Sequence, residues 1–167
     1  TRGVLQARQM AKALKDIKLT FDVLYTSDLK RASDTANAVV ELFGVDALVD
    51  SELRERHFGA LQGLSISEAP LKRPDVWQAH SARDLEHDLE GGESIQQFAL
   101  RVQNALDRIQ ARHTGKTILI VSHGDIMRCF LSYIGLEYIN GVMNRYSNGC
   151  LIAIIFDHQS RLFSTDY

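Results

Sequence analysis

Apolar residues recur along this chain at two spacings, about 3.6 and about 2 positions, and the changes of period mark its elements. Residues 2–17 place Leu5, Met10, Ala13, Leu14 and Ile17 on one side of an amphipathic helix. Phe21-Asp22-Val23-Leu24-Tyr25-Thr26 then reads as a short strand. Ser27 and Asp28 are good helix caps, and the apolar face of residues 29–42 predicts a second helix that Gly44 stops. Residues 47–50 form a second short strand. Residues 52–63 mix polarities around two glycines and read as loop.

From 64 to 90 the pattern is irregular. Ser65-Ile66-Ser67-Glu68 resembles a capping box, Pro70 and Pro74 punctuate the stretch, and Trp77 anchors a short helix. This is a small cap or lid excursion at about 64–90, too short for a core of its own, on a single domain spanning 1–167. Residues 93–112 form a long helix with Phe98, Val102, Ala105, Leu106 and Ile109 on one face, ended by Gly115. The unbroken apolar run of residues 117–121 predicts a strand buried on both faces. Residues 125–134 are helical. Residues 150–156 and 161–165, joined by Asp157-His158-Gln159-Ser160, predict a terminal β-hairpin. Alternating strands and helices indicate an α/β fold, a three-layer α/β/α sandwich around a mostly parallel mixed sheet.

Composition narrows the function classes. The 167 residues are 45% apolar and 24% charged with a net charge of -2, an ordinary globule. That balance argues against nucleic-acid or membrane-surface partners, and no run approaches the roughly 20 apolar residues of a bilayer span. Cys129 and Cys150 sit in apolar sequence and read as reduced thiols of a cytoplasmic protein. No signal peptide is visible, and the chain begins at Thr1 rather than at a methionine.

The candidate chemistry lies at strand ends. Val121-Ser122-His123-Gly124 ends the most apolar strand at an imidazole and a glycine, followed by a helix start where backbone N–H groups can meet an anion. A packed core histidine is the competing reading of His123, and the strand-end position weighs against it. Arg31 occupies the first turn of its helix, where the helix dipole disfavours a cation. Lys30 and Arg31 can be a solvated pair balanced by Asp28 or Asp34. Alternatively, the Arg31 fork reaches a phosphate at the sheet edge. Glu55 by itself is a charged loop residue, yet a carboxyl beside a phosphate site can give and take a proton.

Other motifs fail. Gly115-Lys116-Thr117 precedes its strand, and Gln110 stands where a P-loop needs glycine. Gly135 stands where a Cys129-based phosphatase loop needs arginine, and the sequence has no Asp-x-Asp pair. His80 and His87 are seven residues apart, which fits no common zinc spacing.

Taken in order, these segments resemble the histidine phosphatase superfamily, the phosphoglycerate mutase-like fold. Tyr25-Thr26-Ser27-Asp28-Leu29-Lys30-Arg31-Ala32 resembles its phosphate-binding arginine motif, and Leu53-Arg54-Glu55-Arg56-His57-Phe58-Gly59 its acid/base segment. Gly92-Glu93-Ser94 and Val121-Ser122-His123-Gly124 resemble its last two signatures, and residues 1–7 the helix after its first active-site loop. The resemblance implies that Glu55 and His123 are catalytic. It also implies that Arg31, His123 and Gly124 bind phosphate, with Arg56 as a weaker substrate contact. It implies no metal and no cofactor. The family's nucleophile lies in an Arg-His-Gly motif closing a first, central strand, which is absent from this chain. A segment upstream of Thr1 is therefore expected to supply it.

The reaction implied is phosphomonoester hydrolysis through a phosphohistidine, on a small phosphorylated metabolite. Two alternatives stay open. The Glu55 segment looks mutase-like, but the short cap, with Lys72, Arg73 and Arg83 as its obvious cations, lacks the mutase arginine pair. The other alternative is a phosphate-ligand or protein-binding module without catalysis. Oligomeric state is not legible.

Overall fold

The computed structural model describes residues 2–133, 148–152, 155–157 and 162–164. Strands β1 (Val23–Thr26), β2 (Ala47–Val49) and β3 (Ile118–Val121) form a parallel sheet in the order β2-β1-β3. Helices α1 (Arg2–Asp16) and α2 (Lys30–Phe43) cover one face. Helix α5 (Ile95–Arg112) covers the other and carries α6 (Gly124–Tyr133) alongside it. Between β2 and α5 lie α3 (Ala69–Lys72) and α4 (Pro74–Ser81). An antiparallel hairpin of β4 (Ile155–Asp157) and β5 (Leu162–Ser164) follows, pairing Phe156 with Phe163. The expected hairpin is thus present, though shorter. Of its predicted linker at 157–160, Asp157 ends β4, whereas residues 158–160 and the end of the sixth helix at Ile134 fall outside the described residues.

Strand alternation builds the two cores. Leu24 of β1 and Val121 of β3 face Ala7, Ala11, Leu14, Ala36 and Val39. Tyr25 faces the opposite side and packs with Leu53, Ala105 and Ile109. Full burial of each such Val, Leu or Ile contributes about 1.5–3 kcal/mol.

The α1 stripe differs from its expected position. Leu14 is buried and Met10 packs against the core as expected, but Leu5 and Ile17 are about three-fifths exposed, and Ala7 and Ala11 are buried in their place. The small residues let α1 lie close against α2, so backbone proximity rather than side-chain size selects the buried face. β3 also departs from expectation: only Val121 is buried, and Ile118, Leu119 and Ile120 are intermediate. Among the described residues, β3 pairs with β1 alone, which leaves its other edge without a partner strand.

Two glycines make a close crossing below the site. Gly59 has φ 50°, and a Cβ there would lie 2.1 Å from the Leu89 carbonyl oxygen. A Cβ on Gly92 would lie 2.3 Å from the His57 carbonyl oxygen. Only glycine lets residues 57–59 run this near to residues 88–92. Just beyond, Leu61, Ala69, Val76 and Leu89 form the buried cluster under α3 and α4, with Trp77 packed at its side.

Candidate active site

The site is assembled by strand register. Thr26 lies opposite Val121, so Ser27 and Ser122 leave the sheet at the same level. Ser27 N–H extends the ladder to the Val121 carbonyl at 3.3 Å. The next residues of the two strands therefore converge, as parallel carboxyl edges do. His123 is 9% exposed, and its Nε2 lies 3.0 Å from the Ser27 hydroxyl. Burial, with the Arg31 and Arg101 guanidiniums nearby, holds the imidazole down at about 4, Asp28 opposing weakly. His123 is neutral at pH 7.

Arg31 stands in the first turn of α2, exposed, and acts electrostatically on both His123 and Glu55. Its neighbours are otherwise engaged. Asp28 pairs with Arg54 through two hydrogen bonds, and Lys30 pairs with Asp34 at 2.8 Å. Asp28 thus does not balance Arg31 as a helix cap. The residue at the cap position is Leu29, whose N–H is met by the Ser27 hydroxyl at 3.2 Å. Among the described residues, no carboxylate lies within ion-pair distance of Arg31. An exposed guanidinium at a helix N-terminus, unpaired and facing a neutral histidine, is suited to an anion.

Glu55 follows a 3₁₀ turn at Ser51–Leu53, and its carboxylate accepts from the Arg56 N–H at 3.2 Å. Its other oxygen lies 3.4 Å from the Asp125 N–H, at the start of α6. Burial raises the Glu55 carboxyl above its ordinary value. The Arg56 N–H, the Arg31 and Arg128 guanidiniums and the α6 amides pull the other way. A carboxyl raised by burial at this position is suited to give and take a proton.

Gly124 opens α6. A Cβ there would touch only the Arg128 Nη2, at 3.7 Å, so the fold leaves this backbone approachable. Arg56 points inward instead of into solvent. It is 6% exposed, donates from Nε to the Glu93 carbonyl at 2.9 Å, lies over the Phe58 ring, and leaves Nη2 buried without a partner.

Sequence reasoning missed four residues here. Ser27 and Ser122 orient the strand ends, and Ser122 Oγ donates to the Leu53 carbonyl at 2.8 Å. Arg128 sits four residues after Gly124 on the same helix face, a spacing that offered a signal. Arg101 reaches the site from α5 and had no sequence signal, because its contacts at the Glu52 and Arg54 carbonyls lie 49 and 47 residues away.

A family model, "Histidine phosphatase superfamily (branch 1)", matches residues 1–165. The chain belongs to the histidine phosphatase superfamily. Within that family it is 40% identical over 129 residues to phosphoglycerate mutase-like protein 4 of Arabidopsis thaliana, covering 75% of this chain and 55% of that protein. It is 39% identical over 130 residues to a metal-independent phosphoserine phosphatase of the same plant, covering 75% and 53%. The chain spans about half the length of these curated relatives. Among solved structures, the α-ribazole phosphatase of Shigella flexneri superposes with a TM-score of 0.81 at 25% identity, covering 99% of this chain and 81% of that one. This histidine phosphatase-superfamily fold has no described helix long and apolar enough to cross a membrane.

Proposed function

We propose that this chain forms the phosphate clamp and acid/base half of a phosphomonoester phosphatase acting on a small phosphorylated metabolite. The convergence of Arg31, His123 and Glu55 at the adjoining ends of β1 and β3 carries this reading. Arg31, His123 and the Gly124 N–H hold the phosphoryl oxygens, beside the Arg128–Asp125 ion pair of α6. In the proposed reaction the family's nucleophilic histidine, which is not among these 167 residues, attacks phosphorus. The P–O bond breaks as protonated Glu55 gives its proton to the leaving oxygen. Water then attacks the phosphohistidine while Glu55 takes its proton, which releases phosphate. Arg31 and His123 stabilise the charge that develops on the phosphoryl oxygens. No metal is required.

The cap at 64–90 favours hydrolysis over mutase chemistry. Lys72 is paired with Glu68 at 2.7 Å, and Arg73 is paired with Glu90, so both are already neutralised. A mutase must hold a second phosphate there. The names of relatives include both phosphatase and mutase-like proteins, and the reading extends the phosphatase side to this chain. Cys129 and Cys150 form no disulfide among the described residues, which fits the cytoplasmic location proposed from the sequence.

The test uses the full-length protein with an aryl phosphate and excess chelator. Turnover, an acid-labile phosphoenzyme, and loss of both in Arg31→Ala support the reading. Phosphoglycerate mutase activity stimulated by bisphosphoglycerate overturns it in favour of the mutase, and phosphate binding without turnover in favour of a binding module.

A further inference from the structure

Three consecutive carbonyls just before Glu55 are held by side chains from elsewhere in the fold. Arg101 Nη1 donates to the Glu52 carbonyl at 2.6 Å and to the Arg54 carbonyl at 3.0 Å. Ser122 Oγ takes the Leu53 carbonyl between them. The other edge of the Arg101 guanidinium grips the Glu93 carboxylate, Nε to Oε1 at 2.6 Å and Nη2 to Oε2 at 2.8 Å.

Glu93 holds the chain on the far side of Glu55. Its Oε2 accepts from the His57 N–H at 2.9 Å, its N–H donates to the His57 carbonyl at 2.8 Å, and its carbonyl receives Arg56 Nε. One ion pair therefore fastens the backbone at 52 and 54 and again at 57, with Glu55 spanning the gap. Both partners are largely buried, at 16% and 22% side-chain exposure, so solvent screens the pair little. A guanidinium fork is the group that can serve a carboxylate and two carbonyls at once, and a lysine cannot.

We propose that the Glu93–Arg101 pair is a positioning clamp that sets where the Glu55 carboxyl sits and how deeply it is withdrawn from water. This rests on the reading of Glu55 as the acid/base group. Neither residue touches the phosphate; they act through the backbone on either side of Glu55. The charged groups that face that carboxyl directly are Arg31 from α2 and Arg128 from α6, and both remain in the variants below.

The experiment compares Glu93→Gln, Arg101→Lys and Arg101→Met in the full-length protein. The clamp predicts kcat lowered about tenfold in Glu93→Gln and about a hundredfold in Arg101→Met, since a misplacement near 1 Å costs that much. Inorganic phosphate should inhibit Glu93→Gln and Arg101→Lys, which keep a positive charge at position 101 beside His123, within about twofold of wild type, because Arg31 and His123 stay in place. The basic limb of kcat/KM should move to lower pH as Glu55 becomes wetter. Arg101→Lys should behave like Arg101→Met, since a point charge does not replace the fork. Folded variants with unchanged kcat and an unmoved limb overturn the proposal. Glu55 titration followed by carboxyl ¹³C NMR is the readout independent of turnover. If the wild type hydrolyses nothing but Glu55 still titrates lower in Glu93→Gln, the phosphatase reading falls and the clamp stands. An unmoved Glu55 titration sinks the clamp.

Discussion

Ser27 and His123 leave neighbouring strands side by side, and the hydroxyl of one lies 3.0 Å from Nε2 of the other. Ser27 is fully buried, and its oxygen already accepts the Leu29 N–H. A buried O–H needs an acceptor, and Nε2 is the one in reach. The hydroxyl therefore donates to Nε2, and the neutral ring carries its proton on Nδ1. Imidazole ¹⁵N shifts should report this tautomer at pH 7, and Ser27→Ala should abolish the preference. A wild-type ring protonated on Nε2 contradicts the assignment.

Removal of the clamp residues should separate binding from chemistry. We expect His123→Ala to lower kcat by about 10²–10³-fold, the usual cost of one charge-stabilising donor. Arg31→Ala should weaken inhibition by phosphate or vanadate as well, since its guanidinium is unpaired and waits for an anion. Steady-state kinetics with both inhibitors would check the pair of effects. Wild-type vanadate affinity in Arg31→Ala would exclude that residue from the subsite.

Stability should fall in mild acid. His123 is held at about 4 in the fold and titrates near 6.5 when unfolded. Between those values the unfolded chain binds more protons, so stability rises with pH through the window and is lost as pH drops from 6.5 toward 4. The contribution is on the order of 3 kcal/mol, and His123→Gln should flatten that part of a urea-melt pH series. Bound phosphate should raise the His123 titration, because an adjacent anion favours imidazolium.

Two glycines should respond oppositely to alanine. Gly92→Ala drives a methyl onto the His57 carbonyl and should destabilise by about 3 kcal/mol or more, read as a lowered Tm. Gly124→Ala meets only Arg128 Nη2 at an ordinary distance and should leave Tm unchanged. Its methyl should instead weaken phosphate binding, by obstructing the backbone approach. Equal phosphate affinity in Gly124→Ala would remove that N–H from the site.

The order of elements was legible from periodicity alone, because strands and helices impose different spacings on apolar residues. The long helix read from residue 93 was equally plain, and the structure begins it at Ile95 behind a reciprocal Ser94–Gln97 capping box. Less legible was which side of α1 is buried. Leu5 and Ile17 are hydrophobic enough for a core, but Ala7 and Ala11 allow the closer helix contact. The exposure of β3 was also hidden, since a strand's burial depends on which strands flank it.

His123 and Arg31 stood out in the sequence because strand ends and helix starts are local features that position such groups, whereas Glu55 was singled out by the family resemblance of its segment. What they do to one another was decided by the fold. The parallel register brings Ser27 to His123, burial makes that histidine neutral, and Asp28 turns to Arg54 and leaves Arg31 for an anion. Arg101 and Glu93 gain meaning only when α5 lies across the back of residues 52–57. Local chemistry names the reactive groups, whereas their proton affinities and reach come from desolvation and from contacts between residues far apart in the chain, which only tertiary packing sets.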